Sequence, residues 1–148
     1  MHECKRTVLF IFKCENRMSS DSGAEIAILV AERGITARSS LADLLRGEGY
    51  RVFEAPDAVT AIEQISAAGD VDVILFDLCM PDWPFIVDRA QAKFPRPLIL
   101  AMTAYGLPLQ PSEAQRTGID HYFVKPLAFT DIQQTIGRHL ITRSIIEQ

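Results

Sequence analysis

Four chemically active side chains each follow directly on a short, largely apolar run. Glu32 follows Ala27-Ile28-Leu29-Val30-Ala31, and Asp77 follows Val71-Asp72-Val73-Ile74-Leu75-Phe76. Thr103 follows Leu98-Ile99-Leu100-Ala101-Met102, and Lys125 follows Tyr122-Phe123-Val124. Runs lying side by side in one parallel sheet would gather two carboxylates, a hydroxyl and an ammonium at a single edge. That set suits phosphoryl transfer. Carboxylates hold Mg2+, which keeps several waters and takes one or two carboxylates plus phosphate oxygens. A hydroxyl and a lysine can then bind the transferred group, whose charge develops on its equatorial oxygens.

The elements needed to position these groups are visible in the pattern of the chain. The runs at 27–31, 71–76 and 98–102 are short and nearly continuous, as in strands buried on both faces. Tyr50-Arg51-Val52-Phe53-Glu54 alternates like a strand near a sheet edge, and Tyr122-Phe123-Val124 makes the fifth strand. Helical spacing intervenes each time. Leu41, Leu44 and Leu45 form a first helix stopped by Gly47 and Gly49, and Val59, Ile62 and Ile65 a second, opened by Pro56-Asp57 and closed near Gly69. A third helix is predicted from about Pro84 to Phe94, and a short fourth from Pro111 to Gly118. The last runs from Asp131 to Leu140, with Ile132, Ile136 and Leu140 on one face. Alternating strands and helices predict an α/β fold with a parallel sheet wrapped on both sides, its working groups beyond the carboxyl ends of the strands.

Composition removes other classes. The chain has 148 residues, the size of one domain, with 48% hydrophobic and 23% charged residues, close to the globular average. Its net charge of −4 argues against nucleic-acid binding, which needs clustered Lys and Arg. Cys4, Cys14 and Cys79 are an odd count with no C-x2-C pair, so neither a disulfide framework nor a zinc site is expected. His2, His121 and His139 show no metal-ligand spacing. Val8 to Phe12 is too short for a signal-peptide core or a membrane span, and a cytoplasmic protein is expected. Residues 1–26 balance four basic against four acidic side chains and contain the polar stretch Ser19-Ser20-Asp21-Ser22-Gly23. They are read as an accessory extension to a domain at 27–148.

From residue 27 to about 141 the sequence resembles the receiver domain of bacterial two-component response regulators. The resemblance rests on Ile28-Leu29-Val30 before an acid, Phe76-Asp77-Leu78-Cys79-Met80-Pro81, Met102-Thr103-Ala104 and Tyr122-Phe123-Val124-Lys125-Pro126. The separations agree as well, with 45 residues from Glu32 to Asp77 and 22 from Thr103 to Lys125. The resemblance implies a flavodoxin-like, doubly wound sheet of five parallel strands in the order 2-1-3-4-5. It also implies that Asp77 accepts a phosphoryl group from a histidine kinase or phosphotransfer protein. Lys125 would pair with that phosphate, Thr103 would close on it, and Tyr122 would be the aromatic switch. Mg2+ would be held by Glu32, Asp77 and the backbone carbonyl of Cys79. Such a domain is a signalling protein rather than an enzyme beyond its own phosphorylation and dephosphorylation.

Two departures bear on this reading. The family places two adjacent acids after the first strand, whereas this chain has Glu32-Arg33, a cation where the metal wants an anion, so weak metal binding is expected. Arg33 has two readings: it points to solvent, or it enters the pocket and pairs with Asp77 or Glu32. The segment after Pro81 reads Asp82-Trp83-Pro84, without the family's glycine-containing turn, and Asp77 to Thr103 spans 26 residues, so a short or shifted third helix is expected. Trp83 and Phe85 are expected to anchor this loop to the core, and Tyr105 stands where the family tunes access of water. Only seven residues follow Ile141, so the reading is a stand-alone receiver whose output is a protein contact through the fourth helix, fifth strand and fifth helix. A homodimer and a fragment of a hybrid kinase stay open. The alternatives are a phosphorylation-independent pseudo-receiver and, third, a flavodoxin-like cofactor enzyme. The last would want a Ser/Thr/Gly-rich phosphate loop where Glu32-Arg33-Gly34-Ile35 stands.

Overall fold

Strands apolar on both sides must be covered by two layers, and the arrangement of the chain follows from that. The structure is a computed structural model that describes residues 25–67, 70–104 and 117–147. Five strands, β1 (Ala27–Ala31), β2 (Arg51–Ala55), β3 (Val73–Asp77), β4 (Leu98–Thr103) and β5 (His121–Val124), form one sheet. All neighbours are parallel, in the order β2-β1-β3-β4-β5. The described helices are α1 (Ile35–Gly47), α2 (Ala58–Ala67), α3 (Trp83–Gln91) and α4 (Phe129–Glu147). The predicted helix opening at Pro111, the residue Tyr105 and nearly all of the extension lie outside the described residues. Ile26, assigned to the extension by sequence, packs against the core, and its carbonyl accepts the Arg51 N–H at 2.9 Å.

Alternation along each strand divides the core into two layers. Ile28, Val30, Val73, Leu75, Leu98 and Leu100 face one side, covered by Leu41, Ala42 and Leu45 of α1 and Ile132, Ile136 and Leu140 of α4. Leu29, Ala31, Ile74, Phe76, Ile99 and Ala101 face the other, covered by Ala58, Ala61 and Ile65 of α2 and Ile86, Val87 and Ala90 of α3. Leu44 and Val59, spaced as if inward, are exposed, because Leu45 and Ala58 take the buried positions beside them. The last helix is longer than its apolar stripe suggested.

The third helix is short, as expected, and ends at Gln91 rather than Phe94, whose ring is exposed. Asp82 precedes it with φ 65°, the left-handed region that Asp and Asn tolerate better than most residues. Trp83 stacks on Phe76 with ring centroids 5.6 Å apart, anchoring the loop as expected. Phe85 does not anchor it; the side chain is exposed.

Candidate functional site

The sheet register brings the site together. Ala31 pairs with Phe76, so Glu32 and Asp77 each lie one residue beyond a matched pair on adjacent strands. Asp77 pairs with Met102 on β4, and Thr103 with Val124 on β5, so Lys125 lies one residue beyond the last pair. Each group stands where its strand runs out, at the edge where the backbone turns into a loop. Leu78 N–H donates to Met102 O and Lys125 N–H to Thr103 O, both at 2.8 Å, which carries the pairing past the strand ends. Among the described residues, Glu32, Asp77 and Thr103 are the buried polar or charged residues, at 7%, 7% and 1% exposure. Acids are seldom buried unless paired, and these two are.

Lys125 supplies the pairing. Its Nζ donates to Asp77 Oδ2 at 2.7 Å and to Glu32 Oε1 at 3.4 Å. The Cys79 N–H donates to Asp77 Oδ1 at 2.8 Å, so each oxygen of Asp77 accepts a bond. Glu32 is less well served: its Oε2 is buried without a hydrogen-bond partner.

Burial pushes the Glu32 carboxyl above its ordinary range, and the neighbouring Asp77 adds to that, against the opposing pull of Lys125. Asp77 shifts the other way. Burial opposes its ionisation, but the neighbouring Glu32 carboxyl and the hydrogen bonds from Lys125 and the Cys79 amide outweigh it and hold the carboxyl below the usual range. Burial works against the charge on Lys125 as well, yet the two carboxylates hold its pKa above the ordinary value. Of the two acids, Asp77 is therefore the one whose ionised form the fold favours, with its charge aimed at an ammonium and a main-chain N–H.

The other expected residues are placed less uniformly. Thr103 is buried beside Lys125, but its hydroxyl donates to the Ala104 carbonyl at 3.3 Å rather than to Asp77. Tyr122 is half-buried and packs against the core layer that holds Phe76. The pocket reading of Arg33 is corrected: its side chain is exposed and makes no ion pair with Glu32 or Asp77. Lys125 takes the place between the acids that a guanidinium would have filled. The Cys79 side chain is an exposed free thiol, and this residue meets Asp77 through its backbone. No group of three or more His, Cys, Asp or Glu side chains able to hold a metal occurs among the described residues. Sequence reasoning missed Arg38, whose Nη1 donates to the Glu32 carbonyl at 2.9 Å. An arginine in a helix's first turns reads as a solvated residue, and no spacing distinguishes it.

Four matches relate the chain to known proteins. The sequence profile of the response regulator receiver domain matches residues 28–137. Over 124 residues the chain is 36% identical to the transcriptional regulatory protein ZraR of Escherichia coli O157:H7, covering 82% of this chain and 28% of that protein. The chain thus spans little more than a quarter of that relative's length. A response regulator receiver domain protein (CheY-like) from Methanospirillum hungatei JF-1 superposes with a TM-score of 0.73 at 23% identity, covering 82% of this chain and 98% of that one. The receiver domain of sensor histidine kinase PA1611 from Pseudomonas aeruginosa PAO1 has magnesium coordinated in its active-site cleft. It superposes with a TM-score of 0.67 at 26% identity, covering 78% of this chain and 97% of that one.

Proposed function

The chain belongs to the response regulator receiver domain family, and on that premise we propose that Asp77 accepts a phosphoryl group from a phosphohistidine of a histidine kinase or phosphotransfer protein. The observation that carries this reading is the asymmetry of the two acids. Asp77 is fixed by Lys125 Nζ at 2.7 Å and the Cys79 N–H at 2.8 Å, one donor to each oxygen, whereas Glu32 has one oxygen 3.4 Å from Lys125 and the other without a partner. A nucleophilic carboxylate must be ionised and fixed in place. An oxygen of Asp77 attacks phosphorus, the P–N bond breaks, and the imidazole leaves with the electron pair, so an acyl phosphate forms.

The new group carries two charges and three acceptor oxygens. Lys125 already lies against Asp77 and can transfer one of its N–H donors to a phosphoryl oxygen. The Thr103 hydroxyl holds only a long bond to Ala104, which it can exchange for a shorter one to the phosphate. Thr103 and Val124 are paired across β4 and β5, so movement at Thr103 is felt at Tyr122 and the strand that carries it. Output is a protein contact on the face made by the predicted fourth helix, β5 and the last helix.

Mg2+ fits this pocket in part. The buried, unpartnered Glu32 Oε2 is an acceptor that a cation would satisfy, and Glu32, Asp77 and the Cys79 carbonyl would hold the ion. When bound it neutralises the charge shared by the carboxylates and the incoming phosphoryl group. Arg33 provides no second acid, so binding is weak. That same feature favours a second reading, a pseudo-receiver that binds its partner without phosphorylation.

Beryllofluoride, a phosphoryl mimic, separates the two. With Mg2+ present, amide shifts are expected to spread from Asp77 through Thr103 and Lys125 to Tyr122 and α4. Shifts confined to the pocket, or none, would favour the pseudo-receiver.

A further inference from the structure

The peptide of Glu32 is held from both sides. Its N–H donates to Ala55 O at 3.0 Å, and its carbonyl accepts Arg38 Nη1 at 2.9 Å. Arg38 lies in the opening turns of α1, where its own N–H donates to Gly34 O at 2.9 Å. Its side chain is only 14% exposed, although arginine normally extends its head to water. The guanidinium Nε lies 3.5 Å from Glu54 Oε1 on β2, an ion pair not aligned as a hydrogen bond. Glu54 is also engaged by Arg46 at 3.2 Å. Arg38 thus spans from the loop after β1 to the end of β2. On the other side of the loop, a Cβ at Gly34 would stand 3.3 Å from Glu32 Oε1, tighter than ordinary contact. The carboxylate of Glu32 occupies space that most residues at position 34 would contest.

We propose that Arg38 is the positioning residue for Glu32: by fixing the Glu32 carbonyl it sets the direction of the carboxylate toward Lys125 and Asp77. Arg38 touches neither the phosphoacceptor nor the phosphoryl group and acts through the loop backbone. A charge-assisted bond from a buried guanidinium is stronger than a neutral one. The need for such a clamp follows from the chain's own departure, since a single acid after β1 has no adjacent acid to share its role. The proposal rests on the reading of Glu32 as the pocket acid.

The test compares the Lys125 side-chain ammonium resonance in metal-free protein across four forms. Glu32→Gln sets the position of the signal when the Glu32 charge is lost. Arg38→Met, which keeps the stem and removes the donors, is expected to move the signal at least halfway toward that position. Arg38→Lys, which restores one donor, is expected to bring it back toward wild type. Mg2+ half-saturation, read from Trp83 emission, should rise about tenfold in Arg38→Met, the lower end of what loss of a group supporting a metal ligand costs. A Lys125 signal unchanged in Arg38→Met overturns the proposal, and Arg38→Gln serves the same comparison if that variant does not fold. A wild-type protein that ignores both Mg2+ and beryllofluoride would defeat the functional reading. The Lys125 comparison would still decide the role of Arg38.

Discussion

Between Glu32 and Asp77 the ammonium of Lys125 is the charge that permits two carboxylates to lie together at the end of the sheet. Replacing Lys125 by Met leaves them facing each other, and at pH 7 the loss should be about 1.5–3 kcal/mol, the range for hydrogen bonds to charged groups. The pH dependence has a definite sign. A Glu32 carboxyl raised above its ordinary value is neutral in the fold at pH values where the unfolded chain has already ionised. Stability contributed by that proton is present below the ordinary glutamate range and is lost as pH rises through the raised value. The Lys125→Met deficit should therefore narrow as pH is lowered from 7 toward 5, which paired thermal melts will show. Arg33→Asp supplies the acid this chain lacks. Because Arg33 is exposed and engages neither acid, the change should cost about 1 kcal/mol or less without metal. It should raise Mg2+ affinity by about an order of magnitude, read from Trp83 emission. Glu32, Asp77, Thr103 and Lys125 were legible in the sequence because each follows an apolar run, and strand ends converge. The outward course of Arg33 and the turn of the Thr103 hydroxyl toward Ala104 were not. Side-chain direction at a loop depends on which neighbour offers a charge or a donor, and spacing carries no record of that.

The last helix carries a further titrating group, His139. Burial pushes His139 below its ordinary value of 6.5, with Asp120 opposing, Arg143 and Arg96 adding, and Asp72 opposing. The folded protein thus binds this proton less readily than the unfolded chain. Stability should fall as pH drops below about 6.5 toward the depressed folded value, and His139→Gln should flatten that slope in urea melts at pH 7.0 and 5.5. At the start of α3, Asp82 holds a left-handed backbone. Asp82→Gly should leave stability unchanged or raise it by up to about 1 kcal/mol, and Asp82→Val should lower it by more than that, because a branched Cβ crowds this conformation. Strand positions were read to within about two residues, since runs such as Ile28–Ala31 admit no other buried placement. Helix faces were read less well. Three leucines at 41, 44 and 45 satisfy helical spacing, yet α1 packs through Leu41, Ala42 and Leu45, and Leu44 is left outside.

At the scale of the whole molecule, the sheet separates folding from function. Both faces of the central strands β1, β3 and β4 are apolar up to their last residues, and among the described residues the buried acids and hydroxyl collect at the carboxyl edge. A core truncation such as Leu75→Ala should therefore cost about 2–5 kcal/mol, while Asp77→Asn changes the chemistry and leaves the folded sheet in place. Strand order was legible through the resemblance to receiver domains, because the order 2-1-3-4-5 places the ends of β1 and β3 side by side. Composition alone gives only a parallel sheet covered on both faces. The central claim is that this edge accepts a phosphoryl group on Asp77. Its most direct test is the intact and peptide mass of the protein after incubation with acetyl phosphate and Mg2+, beside the Asp77→Asn variant. The account predicts a gain of one phosphoryl group, mapped to the peptide containing Asp77 and absent from Asp77→Asn. No gain under conditions that label a known receiver, or a gain that persists in Asp77→Asn, would contradict it.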